Sequence, residues 1–137
     1  MYLRMKGVWA MANSKGLSSE IEMYFYSESL QLMKEVKQIT KRHAKKLRET
    51  LREKSPIDTN IMDGKEHGVY KNGWRVSTEE SPLYIVCTVR QYRRPSLTWL
   101  LEDGHLLPQG GKTKAQPHIR PNGDAEADLW LEELMNL

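Results

Sequence analysis

The longest pattern along the chain is helical and lies in its first half. Mostly apolar residues recur at steps of three and four positions, which places them on one face of a helix, while lysines and arginines fill the other positions. The recurring positions are Tyr26, Met33, Val36, Thr40, His43, Leu47 and Leu51. Residues 19–22 have the spacing of a capping box, and Pro56 ends the pattern. We predict one helix of about 35 residues, about 50 Å long, so part of its apolar seam should project or meet another subunit.

Two shorter segments alternate between apolar and polar residues, as half-buried strands do. They are residues 73–78 and 83–90, and a four-residue turn at 79–82 separates them. Leu83, Ile85, Cys87 and Val89 share one face of the second segment. The two segments are predicted to form an antiparallel hairpin.

The last third begins with a short helix around Leu97 that Gly104 stops, followed by a glycine-containing loop at 106–115. Residues 116–120 could pair as a third strand, although prolines at both ends favour an edge strand or an extended link. A final helix is predicted with Asn122 or Asp124 as its N-cap.

The order of these elements indicates an α+β fold in which a long N-terminal helix and a C-terminal helix pack on a small antiparallel β-sheet. The 137 residues suffice for one modest core. We assign residues 18–137 to a single domain and residues 1–17 to a flexible N-terminal extension. Trp74 and Trp99 lie in apolar patterns and are expected in the core, or otherwise at an interface.

Composition excludes several classes of protein. The single cysteine, Cys87, excludes an internal disulfide and is expected to be buried and reduced. No apolar run reaches the ~20 residues of a membrane span, so no membrane partner is expected. The histidines share no zinc spacing and no nucleophile elbow is present, so we expect no metal, no cofactor and no catalytic residue.

Two motifs have a chemical alternative. Gly110, Gly111 and Lys112 suggest a phosphate loop. That motif also requires a glycine five positions before Gly111, and Leu106 occupies this position. Glu102, Asp103 and His105 could be an acid/base cluster or a ligand contact, although Asp103 and His105 are more simply solvated residues that flank a glycine cap.

The net charge of +3 is unevenly distributed. Residues 34–54 carry nine lysines and arginines against three glutamates, whereas residues 122–137 carry five acidic residues and no basic one. Such a basic helix and acidic tail serve either nucleic-acid binding or head-to-tail pairing between copies. The residues proposed for contacts between subunits are Lys41, Lys45, Lys46, Arg48, Gly110, Gly111, Lys112, Asp128 and Glu132.

Five sequence blocks together resemble the tail-completion or neck proteins of long-tailed bacteriophages, small minor tail components that join head and tail. The blocks are Ser-Pro at 55–56, Tyr-Lys-Asn-Gly-Trp at 70–74, Leu-Thr-Trp-Leu-Leu-Glu-Asp-Gly-His at 97–105, Gly-Gly-Lys at 110–112 and Pro-His-Ile-Arg-Pro at 117–121. The structural motif residues within them are Trp74, Leu100, Leu101, Glu102, Gly104, His105, Pro117, His118 and Pro121. The resemblance covers residues 18–137.

The resemblance implies a non-enzymatic structural protein of the virion head–tail junction, present in the host cytoplasm during assembly. Its partners would be further copies of itself, in a ring, and the adjacent neck and tail proteins. Loops around Gly110-Gly111 and Asp63-Gly64 would order on docking. The alternative function is a small basic nucleic-acid-binding module, although nucleic acid is not expected as a specific partner.

Overall fold

The computed structural model describes residues 2–6, 18–57 and 68–137, and within them three α-helices surround a three-stranded sheet. The elements in chain order are β1 (Tyr2–Lys6), α1 (Ser18–Lys54), a 3-10 helix (Lys71–Gly73), β2 (Trp74–Ser81), β3 (Tyr84–Gln91), α2 (Leu97–Asp103) and α3 (Arg120–Met135). The predicted α+β class is confirmed: a long N-terminal helix, an antiparallel hairpin and a C-terminal helix that packs against α1.

The hairpin is longer than the alternation predicts. β2 pairs with β3 along its whole length, from Trp74 opposite Gln91 to Ser81 opposite Tyr84. Residues 82 and 83 alone connect the two strands. The turn expected at 79–82 is therefore wrong in its extent, because residues 79–81 continue the backbone ladder.

The third strand is β1, and it was not expected from the sequence. It pairs antiparallel with β3, with Leu3 opposite Cys87, so the sheet order is β1-β3-β2. Residues 116–118 form no strand, because the amide of His118, which a ladder would need, donates instead to the carboxylate of Glu102. Residues 7–17 lie outside the described part of the chain, and the assignment of residues 1–17 to a flexible extension stays a prediction.

The apolar core lies between α1 and the inner face of the sheet. Leu47 and Leu51 of α1 are fully buried, and they belong to one cluster with Ile85, Cys87 and Val89 of β3. The helical period and the strand period predicted both faces correctly, including the buried thiol. Burial of these side chains supplies the main stabilisation of the fold.

One aromatic position departs from the predicted core. Trp99 is 69% exposed, whereas Trp74 is buried as expected. Trp99 lies on the outer side of α2, a helix too short to bury both of its faces. The prediction that Trp99 is a core residue is wrong, and the alternative that it lies at an interface remains open.

The first turns of α1 project beyond the core, as the length of the helix predicts. Large apolar side chains in this part of the helix are exposed to solvent. They are Ile21, Met23, Tyr24, Phe25, Tyr26 and Leu32. Exposed apolar surface of this kind is common at interaction sites.

Replacing Leu47 by alanine should lower the free energy of unfolding by about 2–5 kcal/mol, because the side chain is fully buried and its loss leaves a cavity. Urea unfolding monitored by circular dichroism measures the change. The matched control is Leu32→Ala on the exposed part of the same helix, where the expected change is within about 0.5 kcal/mol. Equal losses in the two variants would contradict the placement of the core.

Candidate functional site

Side chains from four of the five sequence blocks meet in one buried cluster. Ser55, Tyr70, Trp74, Glu102 and His118 are all buried, and we call them the junction cluster. They come from the end of α1, the start of the hairpin, α2 and the segment before α3. The cluster therefore ties every helix to the sheet.

The serine of the Ser-Pro block accepts a hydrogen bond from the indole of Trp74. Trp74 Nε1 donates to Ser55 Oγ at 2.7 Å, and the Ser55 hydroxyl donates to the Leu51 carbonyl oxygen at 2.5 Å. Pro56 follows directly and prevents the helix from continuing. The start of β2 is thereby fixed to the end of α1.

Tyr70 and His118 connect the hairpin to the segment before α3. Their rings meet edge to face at 5.6 Å, and the Tyr70 hydroxyl lies 2.7 Å from His118 Nε2. His118 Nδ1 lies 2.8 Å from the Gln116 carbonyl, which can only accept, so Nδ1 carries a proton. Burial, together with the negative charge of Glu102, raises the pKa of Tyr70 above its usual value, so its hydroxyl stays protonated.

Glu102 accepts three backbone hydrogen bonds at the start of α3. Its Oε2 accepts from the amides of His118 at 2.9 Å and Ile119 at 3.0 Å, and its Oε1 accepts from the amide of Arg120 at 2.9 Å. The first amides of a helix have no partner within the helix, and a negative charge there is stabilised by the helix dipole. A carboxylate from α2 thus caps α3, whereas the expected caps Asn122 and Asp124 lie inside the helix, so that prediction is wrong.

The environment of Glu102 favours its ionised form. Burial alone would raise the pKa of Glu102, but the three backbone donors and the nearby ring of His118 outweigh it, so the pKa lies below its usual value. Glu102 therefore does not behave as an acid/base group that exchanges protons near neutral pH. Glu102 is a structural cap, while Asp103 and His105, the two residues expected to be solvated beside the glycine, are exposed and half-buried respectively.

Gly104 ends α2 in a conformation that only glycine adopts readily. Its φ is 69° and its ψ is 169°, and a Cβ there would lie 2.5 Å from the Thr113 carbonyl oxygen. The next residue, His105, donates its amide to Thr113 Oγ1 at 2.9 Å. Gly104 and His105 therefore fix the return of the glycine loop against α2.

The other motif residues contribute less to the cluster. Leu101 packs against the apolar core, while Leu100 is 38% exposed. Pro117 and Pro121 are exposed, and Pro121 occupies the first turn of α3, where proline is tolerated. The sequence motif thus combines inward-facing and outward-facing residues.

A second set of polar side chains joins α1 to α3, and we call it the helix bridge. It consists of Arg42, His43, Lys46, Glu126 and Glu133. His43 Nδ1 lies 2.5 Å from Glu126 Oε1, and His43 Nε2 lies 2.7 Å from Glu133 Oε2. The buried histidine of the apolar stripe therefore holds two carboxylates of α3, two helical turns apart.

Cations flank both carboxylates of the helix bridge. Arg42 pairs with Glu133, and Lys46 lies 3.6 Å from Glu126. The hydrogen bond from Arg42, followed by that from His43, lowers the pKa of Glu133. Beside these pairs, Trp130 donates its indole N–H to Thr40 Oγ1 at 3.0 Å. The polar positions Thr40 and His43 within the apolar stripe are thus explained by partners on α3.

The structure places the proposed subunit-contact residues on α1, in the glycine loop and on α3. Lys41 lies 3.0 Å from Glu80 of β2, and Lys46 belongs to the helix bridge. Lys45 is exposed and Arg48 is half-buried. On α3, Asp128 and Glu132 are exposed to solvent. The attraction between the basic helix and the acidic tail is therefore satisfied in part within one chain, and a contact between copies through these residues stays a prediction.

The glycine loop closes on itself. Leu106 and Lys112 form an isolated antiparallel bridge, and the Leu107 amide donates to the Gly111 carbonyl at 3.0 Å. Gly110 and Gly111 have φ of 95° and 88°, which the tight reversal requires. The loop stands at the surface, with Leu106 79% exposed. The other loop expected to order on docking, around Asp63-Gly64, lies outside the described residues.

The polar side chains of both clusters have partners within the protein. Within the described ranges, every buried side-chain nitrogen or oxygen has a hydrogen-bond partner, and no three His, Cys, Asp or Glu side chains are placed to hold a metal ion. A groove of about 320 Å³ lies beside Glu102, but both oxygens of that carboxylate are engaged by backbone amides. Of the helices in the described part of the chain, none has the length and apolar character needed to cross a membrane.

Two roles were missed in the sequence, and each had a signal. Pro121 marks a helix start, yet neither His118 nor Ile119 is a good N-cap, so an acceptor from elsewhere was required. Glu126 and Glu133 are seven residues apart, which places both on the helix face that meets His43.

Comparison of the chain with protein-family models, with curated proteins and with solved structures finds no match. The residues of this chain and their geometry therefore carry the functional argument.

Replacing Glu102 by glutamine should lower the free energy of unfolding at pH 7 by about 1–3 kcal/mol, because a charged acceptor of three backbone amides is lost. The pKa of Glu102 is depressed in the folded state, so its contribution is present above the unfolded value of about 4.3 and disappears as the pH falls through the folded value. Urea midpoints at neutral and acidic pH measure both effects, and the difference from wild type should shrink in acid.

The matched control is Asp103→Asn, next in sequence on the same helix. Asp103 pairs with Arg120 at the surface, so its loss should change stability by less than about 1 kcal/mol. A Glu102→Gln penalty that equals that of Asp103→Asn, or that is the same at both pH values, would contradict the capping role.

Proposed function

We propose that this chain is a structural protein of the phage head–tail junction. It assembles with further copies of itself, as a ring, and it completes the tail or connects the tail to the capsid. Its other partners are the adjacent neck and tail proteins. The proposal rests on the sequence resemblance and on what the motif residues do in the fold.

The observation that carries the proposal is the junction cluster. Ser55, Tyr70, Trp74, Glu102 and His118 come from four of the five blocks of the resemblance, and each has a hydrogen-bond partner within the protein. Blocks scattered over the sequence therefore have one shared structural purpose, which is to join helices and sheet into a stable body. Such a role favours a building block over an enzyme, whose characteristic residues face a substrate cleft.

The surfaces outside the cluster support assembly. The projecting first turns of α1 expose apolar and aromatic side chains, among them Met23 at 71% and Phe25 at 64%. The closed glycine loop presents Leu106, whose side chain is 79% exposed. Exposed apolar surfaces of this kind are typical of subunits whose contacts form on assembly.

The proposal is tested by deleting the gene for this chain from the phage or prophage genome that encodes it. Electron microscopy of the resulting lysate should show filled heads and separate tails, because the joining component is absent. Infectivity should return when wild-type protein is supplied from a plasmid.

The matched control is a plasmid that supplies Asp103→Asn, which alters only a surface ion pair and should restore joining as wild type does. Joined, infectious particles in the deletion lysate without any plasmid would contradict the proposed function.

A further inference from the structure

Four arginines lie together at the open end of the hairpin, and we call them the arginine surface. They are Arg75, Arg90, Arg93 and Arg94, and all four are exposed. Arg75 lies directly opposite Arg90 in the strand register, where like charges destabilise a sheet. Among the described residues, no carboxylate forms an ion pair with any of the four. Ion pairs among the described residues therefore leave this concentration of charge unneutralised.

The backbone beneath the arginine surface is held rigidly. The buried side chain of Gln91 accepts the amides of Arg93 at 3.0 Å and Arg94 at 3.3 Å, and it donates to the Tyr70 carbonyl at 2.6 Å. The Tyr92 amide donates to the Gly73 carbonyl at 2.8 Å. A fixed backbone with solvent-facing side chains is pre-organised for a partner, because little further order is lost on binding.

Aromatic side chains accompany the charges. The guanidinium of Arg75 lies 4.8 Å from the centre of the Tyr92 ring, and Tyr92 is 62% exposed. Next to them, the 320 Å³ groove between β3 and α2 is lined by Arg90 and by the exposed Trp99, among others. The surface therefore suits a partner that is both acidic and partly apolar.

The chain itself carries a surface of that chemistry on the outer face of α3. Asp124, Asp128 and Glu132 recur every fourth residue and are all exposed, and Leu131 and Met135 extend the same face with exposures of 51% and 78%. We call these five residues the acidic stripe. The opposite face of α3 is occupied by the helix bridge to α1.

We infer that the arginine surface of one copy docks on the acidic stripe of α3 in a second copy. This deepens the proposed function, since it rests on the chain assembling with itself, and it names the contact. The basic face of α1 is the weaker candidate, because Arg42 and Lys46 already neutralise the inner carboxylates of α3 and Lys41 pairs with Glu80.

The contact is directional, because the two surfaces are different. A docked pair keeps one free acidic stripe on one copy and one free arginine surface on the other. Repetition of the contact therefore yields a closed ring where the rotation fits, and an open filament where it does not.

Sedimentation velocity of the full chain at low salt tests the inference. Wild type should self-associate, and the association should weaken as the salt rises from about 50 to about 500 mM. The variant Arg90→Glu/Arg94→Glu and the variant Asp128→Arg/Glu132→Arg should each associate at least about tenfold more weakly than wild type. An equimolar mixture of the two variants should form complexes again, because the reversed charges are complementary.

A reversal on α1, Lys45→Glu/Arg48→Glu, separates this contact from the basic helix face. It should leave self-association unchanged if the arginine surface is the binding partner. Loss of association in this variant alone would overturn the inference in favour of the α1 face. Circular dichroism melting curves of all variants should match wild type, since none of these side chains belongs to the core.

Two further outcomes would overturn the inference. One is a wild-type chain that stays monomeric at every concentration and salt. The other is tight binding of a fluorescent single-stranded oligonucleotide that Arg90→Glu/Arg94→Glu abolishes while self-association stays unaffected, which would assign the arginine surface to nucleic acid. The gene-deletion test is independent of the sedimentation test. Joined particles without this chain would refute the proposed function, but they would not contradict a self-contact measured by sedimentation.

Discussion

Three backbone amides at the start of α3 depend on one carboxylate, that of Glu102, which reaches them from α2. The start of α3 has no side-chain cap of its own, and it begins within the core-facing segment that contains His118. Without an acceptor, those unpaired amides would destabilise the helix at its start. Once Glu102 is in place, His118 meets Tyr70, and Trp74 reaches Ser55 at the end of α1. The cap is thus the point through which the helices and the hairpin are held together.

The charges of the chain divide into an inner and an outer set. The inner set is the helix bridge, in which His43 of α1 holds Glu126 and Glu133 of α3, with further cations alongside. It stabilises the packing of the two long elements and leaves the outer face of α3 acidic. The outer set contains the arginine surface and the acidic stripe, which are exposed to solvent and are opposite in charge. This division explains how a chain with a net charge of only +3 can offer two strongly charged surfaces.

Much of the fold could be predicted because periodicity reports burial directly. The stripe through Leu47 and Leu51 and the alternation through Ile85 and Val89 both face the core. The parts that failed depend on contacts between distant residues. Strand β1 pairs across a long stretch of sequence, and Glu102 and His118 are sixteen residues apart, so no local pattern indicates either contact. The prediction for Trp99 failed for a different reason. Trp99 lies in an apolar sequence pattern, but α2 is too short to bury both of its faces.

The most direct test of this account is hydrogen exchange at the amides of His118, Ile119 and Arg120, followed by nuclear magnetic resonance. Amides in the first turn of a helix ordinarily exchange quickly, because they lack helical partners. The account predicts protection of these three amides comparable to that of the central strand β3. Exchange as fast as that of the exposed first turn of α1 would contradict it.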